Sequence, residues 1–316
     1  MAKLHARPLA TLTLAALVVL LTAASWVSGV GPSAGAAAVR SPIEAQFSAP
    51  GPFATTAGTV KVGSRVEYDL FYPRDYRRLG FESPIITWGN GTSAVPDMYS
   101  TLLRHFASYG FTVIATTLTS TGSGREIDAA AHYLVKMNAT RGSVFDRHLN
   151  VHRVAAAGHS QGATGAARVA IMDRGLISTL LIFSLPEARW ARTNPDCPVI
   201  TDCEEDMKRV HQPTFLISTH GPIDDVIATP SAERAYFDEV KGRAALGIIA
   251  TSEGAVADHS SLQDAANGGH PNGELGFATA WLEYTLRGNR RAAAAFVSPH
   301  PKLVSDANWP GSRVKS

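Results

Sequence analysis

The chain reads as a layered α/β protein: a mostly parallel central sheet with helices on both faces and a small cap-like insert. Three observations predict this. From Val60 onward, short apolar runs of strand length alternate with longer stretches that carry apolar residues at helical spacing. One of those runs, Val154 to Ala157, passes through Gly158-His159-Ser160-Gln161-Gly162 into a helix-like stretch, which makes a strand–turn–helix unit. The composition, 45% hydrophobic and 18% charged over 316 residues, suits one large core and is neither disordered nor collagen-like.

Taken in order, the N-terminus reads as an export signal over residues 1–38. Lys3, His5 and Arg7 give a basic start, Leu9 to Ala24 is apolar, and small residues follow through Ala38. Ala34-Gly35-Ala36 and Ala36-Ala37-Ala38 both offer the small-x-small pattern for cleavage, so a secreted or extracytoplasmic protein is expected. The rival reading is an uncleaved signal anchor, because the apolar stretch can extend to Val30 and approach the roughly 20 residues that span a bilayer. With the signal removed, no stable membrane association is expected. Residues 39–316 then form a single domain. Its expected strands are Val60 to Tyr72, Pro84 to Trp88, Phe111 to Thr117, Val154 to Ala157, Leu180 to Phe183, Thr214 to Ser218 and Leu246 to Ala250. The expected helices are Met98 to Ser108, Arg125 to Met137, Ala163 to Met172, Ala232 to Val240 and Leu275 to Arg287.

The connection from Leu185 to Gln212 is too long for an ordinary loop and is expected to be a lid or binding loop. It carries Trp190, which is either a buried cap residue or a substrate contact, and the chain's two cysteines, Cys197 and Cys203. In an exported protein the cysteines are expected to pair; closing so short a loop contributes at most about 2.5 kcal/mol. No histidine or cysteine set with ligand spacing surrounds them, so no metal is expected. The net charge of +2 and the lack of a basic patch interleaved with aromatics exclude nucleic acid as an expected partner.

The turn at Ser160 is a candidate nucleophile elbow. A serine hydroxyl attacks at neutral pH only when pinned in such a turn beside a base and preorganised N–H donors, and Gly158 and Gly162 relieve the crowding around it. The acid is sought after a later strand, and the loop following Pro213 to Ser218 supplies Asp224 and Asp225, either of which could orient a histidine. Of the three histidines beyond it, His259 lies in the loop between the last strand and the helix near Leu275, whereas His270 and His300 sit in turn-like segments and read as surface residues. His159, next to the serine, cannot serve as its base and is expected to pack beside the site. Two backbone donors are needed for the oxyanion: Gln161 follows the nucleophile, and Gly89-Asn90-Gly91-Thr92 follows an early strand, with the N–H of Asn90 as the candidate. Neither this loop nor Thr121-Gly122-Ser123-Gly124 has the lysine of a phosphate-binding loop.

These segments resemble a family of exported α/β-hydrolases related to dienelactone hydrolase, cutinase-like polyester hydrolases and platelet-activating-factor acetylhydrolase. The resemblance is carried by Pro84 to Thr92, Phe106 to Ala115, the elbow, Asp225 to Ala228 and Asp258-His259. It implies hydrolysis of a carboxylic ester through an acyl-serine, without metal or organic cofactor, with Ser160, His259 and Asp225 as triad and Asp224 as the fallback acid. Asn90 and Gln161 stand where the cutinase-like group has an aromatic residue and a methionine, so the expected substrate is a small or medium ester, lipidic or polymeric ones being further options. Acyl transfer through the same triad, and a non-catalytic binding protein on the same fold, are the alternatives.

Overall fold

The computed structural model describes residues 41–62, 65–191 and 206–316. Residues 37–316 form one compact unit. The expected export signal, Cys197, Cys203 and their expected pairing lie outside the described residues, as does half of the insert. Among the described residues no helix is long and apolar enough to cross a membrane.

In chain order the elements are α1 (Pro42–Ser48), β1 (Thr55–Val62), β2 (Arg65–Pro73), β3 (Ser83–Gly89), α2 (Ser100–Ser108), β4 (Thr112–Thr116), α3 (Arg125–Asn138), β5 (Leu149–His159), α4 (Gln161–Met172) and β6 (Ile177–Phe183). There follow α5 (Ala188–Ala191), β7 (Thr214–Thr219), α6 (Asp224–Ile227), α7 (Pro230–Glu239), β8 (Ala244–Ile249), β9 (Thr251–Ser252), β10 (Ala255–Val256), α8 (Asn272–Arg287), α9 (Arg290–Ala293) and β11 (Arg313–Lys315). The main sheet has the order β1-β2-β4-β3-β5-β6-β7-β8-β11. Its six central strands are parallel, and β1, β2 and β11 are antiparallel at the two edges.

Residues alternate across each central strand, so one sheet serves two cores. Trp88, Val113, Ala157, Phe183 and Phe215 point to the side covered by α1, α2 and α8. Ile85, Ile114, Ala156, Ile182 and Leu216, on the alternate positions, point to the side covered by α3, α4 and α7. Burial on both faces is why these strands are continuous apolar runs with no polar alternation.

The stretch expected as one strand from Val60 to Tyr72 is instead two antiparallel strands, β1 and β2, paired in register from Thr55 opposite Pro73. Gly63-Ser64 between them is turn-forming sequence inside a run whose apolar content masks it. At the other end, Glu253 and Gly254, both with positive φ, turn β9 back onto β10, and this hairpin feeds the loop that carries His259.

Candidate active site

The parallel strands all point their C-terminal ends toward one rim, and the candidate residues collect there. At Ser160 the chain leaves β5 for α4 with φ 54° and ψ −120°, a conformation that costs a non-glycine residue strain. Backbone bonds hold it: the Ser160 N–H donates to the Phe183 carbonyl at 2.9 Å, and the Ser160 carbonyl accepts from Ala163 N–H at 2.9 Å. The flanking glycines allow backbone to touch backbone. A Cβ at 158 would lie 2.2 Å from the Gly162 carbonyl oxygen, and one at 162 would lie 2.1 Å from that of Gly89. Gly162 thereby seats the elbow directly against the end of β3.

His259 reaches the serine with Nε2 2.9 Å from Oγ, and its Nδ1 lies 2.6 Å from Asp224 Oδ1. A carboxylate only accepts, so Nδ1 carries the proton and the Nε2 lone pair faces the serine hydroxyl. The carboxylate set against His259 is Asp224, not Asp225. Successive helical residues are rotated about 100° from one another, so on α6 only one of the pair can face inward. Asp224 is fully buried, and its Oδ2 accepts from Ser184 Oγ at 2.9 Å, Thr219 Oγ1 at 2.5 Å and Thr219 N–H at 3.2 Å. These donors satisfy a charge that burial would otherwise penalise. Asp225 points to solvent, 3.8 Å from the imidazole of His220.

Asp258 ties the acid and base loops together. Its Oδ1 accepts the backbone N–H groups of Ile223 at 3.0 Å, Asp224 at 3.1 Å and His259 at 2.8 Å. The carboxylate fits because residue 221 is glycine; a Cβ there would lie 2.3 Å from the Cβ of Asp258.

Gln161 opens α4, where the first N–H groups have no acceptor within the helix. Its side chain turns away to accept Thr121 N–H at 2.7 Å. The Asn90 side chain is wholly occupied: Oδ1 accepts Trp88 Nε1–H at 3.1 Å, and Nδ2 donates to the carbonyls of Thr116 at 2.6 Å and Leu118 at 3.1 Å. What Asn90 can present to a bound carbonyl is therefore its backbone. Trp190, on α5, is 39% exposed; its Nε1–H donates to the Val226 carbonyl at 3.0 Å, beside α6. His270 is half-exposed and pairs with Glu253 at 3.4 Å, and His300 is exposed.

His159 is buried with its ring centroid 4.7 Å from that of His259. Desolvation pushes its pKa well below the ordinary 6.5, and the neighbouring His259 pushes in the same direction. His105, whose Nε2–H donates to the Phe47 carbonyl at 2.8 Å, is likewise lowered by burial. Both are neutral in the folded state and take up protons more readily when unfolded. Their stabilisation is therefore fully present above about pH 6.5 and is lost as pH falls toward the depressed folded values. Thermal melts between about pH 7.5 and 5 should show the wild type losing stability more steeply than His105→Gln, with the curves converging at low pH.

The sheet order, the strand–serine–helix turn and the positions of Asp224 and His259 after β7 and β8 together define an α/β-hydrolase fold. Residues 79–200 match the family model for chlorophyllase, an α/β-hydrolase-type family whose match points to an ester hydrolase. The match spans Asn90, Ser160 and Gln161 and ends before Asp224 and His259. No curated protein matches the chain.

Proposed function

We propose that the protein is a serine-dependent carboxylic ester hydrolase working through an acyl-serine intermediate. The observation that carries this reading is the hydrogen-bonded chain Ser160–His259–Asp224 on the strained turn. In the first step His259 Nε2 takes the Ser160 proton as Oγ forms a bond to the ester carbonyl carbon. The negative charge on the carbonyl oxygen is met by the backbone N–H groups of Gln161 and Asn90. Asp224 fixes the tautomer and stabilises the imidazolium. The C–O bond of the ester then breaks, and His259 protonates the departing alcohol. Water, deprotonated by His259 in turn, attacks the acyl-serine to release the acid and restore the serine.

Small or medium esters are the substrates this reading favours, with Trp190 as a contact for the substrate at the edge of the site. The kinship with dienelactone hydrolase and the cutinase-like enzymes belongs to the same proposal, as does an extracytoplasmic location, which rests on the pattern of residues 1–38. The test is turnover of p-nitrophenyl esters of graded chain length together with labelling by a fluorophosphonate probe. Stoichiometric labelling of Ser160 with release of free acid supports the reading. Products that partition to an added alcohol in preference to water would replace hydrolysis by acyl transfer. No labelling and no turnover would sink a serine mechanism.

A further inference from the structure

Behind the catalytic residues lies a closed set of buried polar groups that the mechanism does not use. His159 Nε2 lies 2.8 Å from the His259 carbonyl oxygen, and His159 Nδ1 lies 2.9 Å from the Tyr99 hydroxyl. The same hydroxyl lies 3.1 Å from the Gly91 N and 3.3 Å from Gln263 Nε2. Only one arrangement of protons satisfies all four contacts. A carbonyl accepts, so His159 Nε2 carries its proton and donates to His259. Nδ1 is then bare, and Tyr99 must donate its hydroxyl proton to it. The Tyr99 oxygen accepts from the backbone of Gly91 and the amide of Gln263. The opposite tautomer of His159 would set two lone pairs against each other at 2.8 Å and leave buried groups unpaired, which is costly.

We infer that His159 and Tyr99 are positioning residues that hold the His259 loop and the Gly89–Thr92 loop in one fixed relation; the inference rests on the esterase reading above. His259 is gripped at both ends of its backbone, the N–H by Asp258 and the carbonyl by His159. The Gly91 N–H held by Tyr99 belongs to the peptide immediately after Asn90, so the same grip orients the candidate oxyanion loop. Close packing is a second, independent sign of the coupling. A Cβ at 91 would lie 2.9 Å from His159 Nδ1 and 3.1 Å from the Tyr99 hydroxyl, so the loop seats on the brace only as glycine. Burial keeps His159 neutral, and the imidazolium formed on His259 during turnover meets no second cation beside it.

The experiment compares wild type, His159→Phe, His159→Gln, Tyr99→Phe and the His159→Phe/Tyr99→Phe double variant in p-nitrophenyl ester turnover, fluorophosphonate labelling rate and thermal melting. His159→Phe and Tyr99→Phe are each expected to lower kcat about 10- to 100-fold with KM within about threefold, the scale of loss set by sub-ångström misplacement of reacting groups. His159→Gln, whose amide can donate to the His259 carbonyl, should recover most of the loss. The double variant should lose no more than about threefold beyond the worse single variant, because the two residues act as one unit. Wild-type imidazole nitrogen NMR at about pH 7 should show His159 protonated at Nε2 and bare at Nδ1. Losses that multiply in the double variant, kcat within about twofold of wild type in both single variants, or a lowered melting temperature with kcat intact would each overturn the brace. Absence of labelling in the wild type would instead overturn the esterase reading.

Discussion

Replacing Ser160 by alanine is expected to lower ester turnover by about 10⁴- to 10⁶-fold while leaving the melting temperature essentially unchanged. The hydroxyl bonds to His259, and the turn that holds it is fixed by the main chain: Ser160 N–H on Phe183, and the carbonyl capping the first turn of α4. Alanine keeps those bonds. It also keeps the oxyanion donors and the binding surface, so a small residual rate above water is expected. Steady-state rates with a graded ester series, run beside a thermal melt, check both halves. Turnover in the variant within about tenfold of wild type would remove Ser160 from the chemistry.

Asp224→Asn is expected to cost about 10³- to 10⁴-fold in kcat, and Asp225→Asn less than about twofold. An amide at 224 offers His259 either a donor, which would clash with the Nδ1 proton, or a neutral oxygen, which stabilises the imidazolium far less than a carboxylate. The wrong tautomer then turns a proton toward the serine and leaves no lone pair to receive one. Asp225 faces solvent, with the exposed His220 at 3.8 Å. Kinetics on the two variants in parallel form a matched pair, since they differ by one position in the chain and one face of α6. Equal losses at both positions would mean that α6 reorients when substrate binds.

Much of the fold was legible because a parallel strand buried on both faces is a continuous apolar run: β3, β4, β6, β7 and β8 start and end within three residues of the expected limits, whereas β5 begins five residues early, through the polar Asn150, His152 and Arg153. The division into β1 and β2 was hidden because the apolar residues from Val60 to Tyr72 keep one alternating pattern across both strands. β11 went unseen because three residues give no period, and α1 because its short turn depends on Ser41 and Pro42 at its start and on packing against distant α8. At the rim, Ser160 could be placed from sequence because it directly follows a strand, and His259 because it lies in the loop between the last long strand and α8. The choice between Asp224 and Asp225 could not, because it depends on the rotation of a four-residue helix and on Ser184 and Thr219, distant or on another element. Asp258 stood out only as part of the base-loop segment and Tyr99 not at all; their roles come from contacts to segments far away in sequence.

The single turn of α6 divides its positions between two kinds of constraint. Asp224 faces inward and is fully buried, while Ile223 and Val226 on the same turn are 47% and 50% exposed. Ile223 and Val226 themselves hold the turn to its neighbours through backbone groups, the N–H of Ile223 on Asp258 and the carbonyl of Val226 under Trp190, and main-chain bonds survive a change of side chain. A change of side chain at 223 or 226 therefore leaves the turn anchored and the Asp224–His259 contact in place, whereas a change at 224 removes the contact itself, so one turn carries two positions that tolerate substitution beside one that does not.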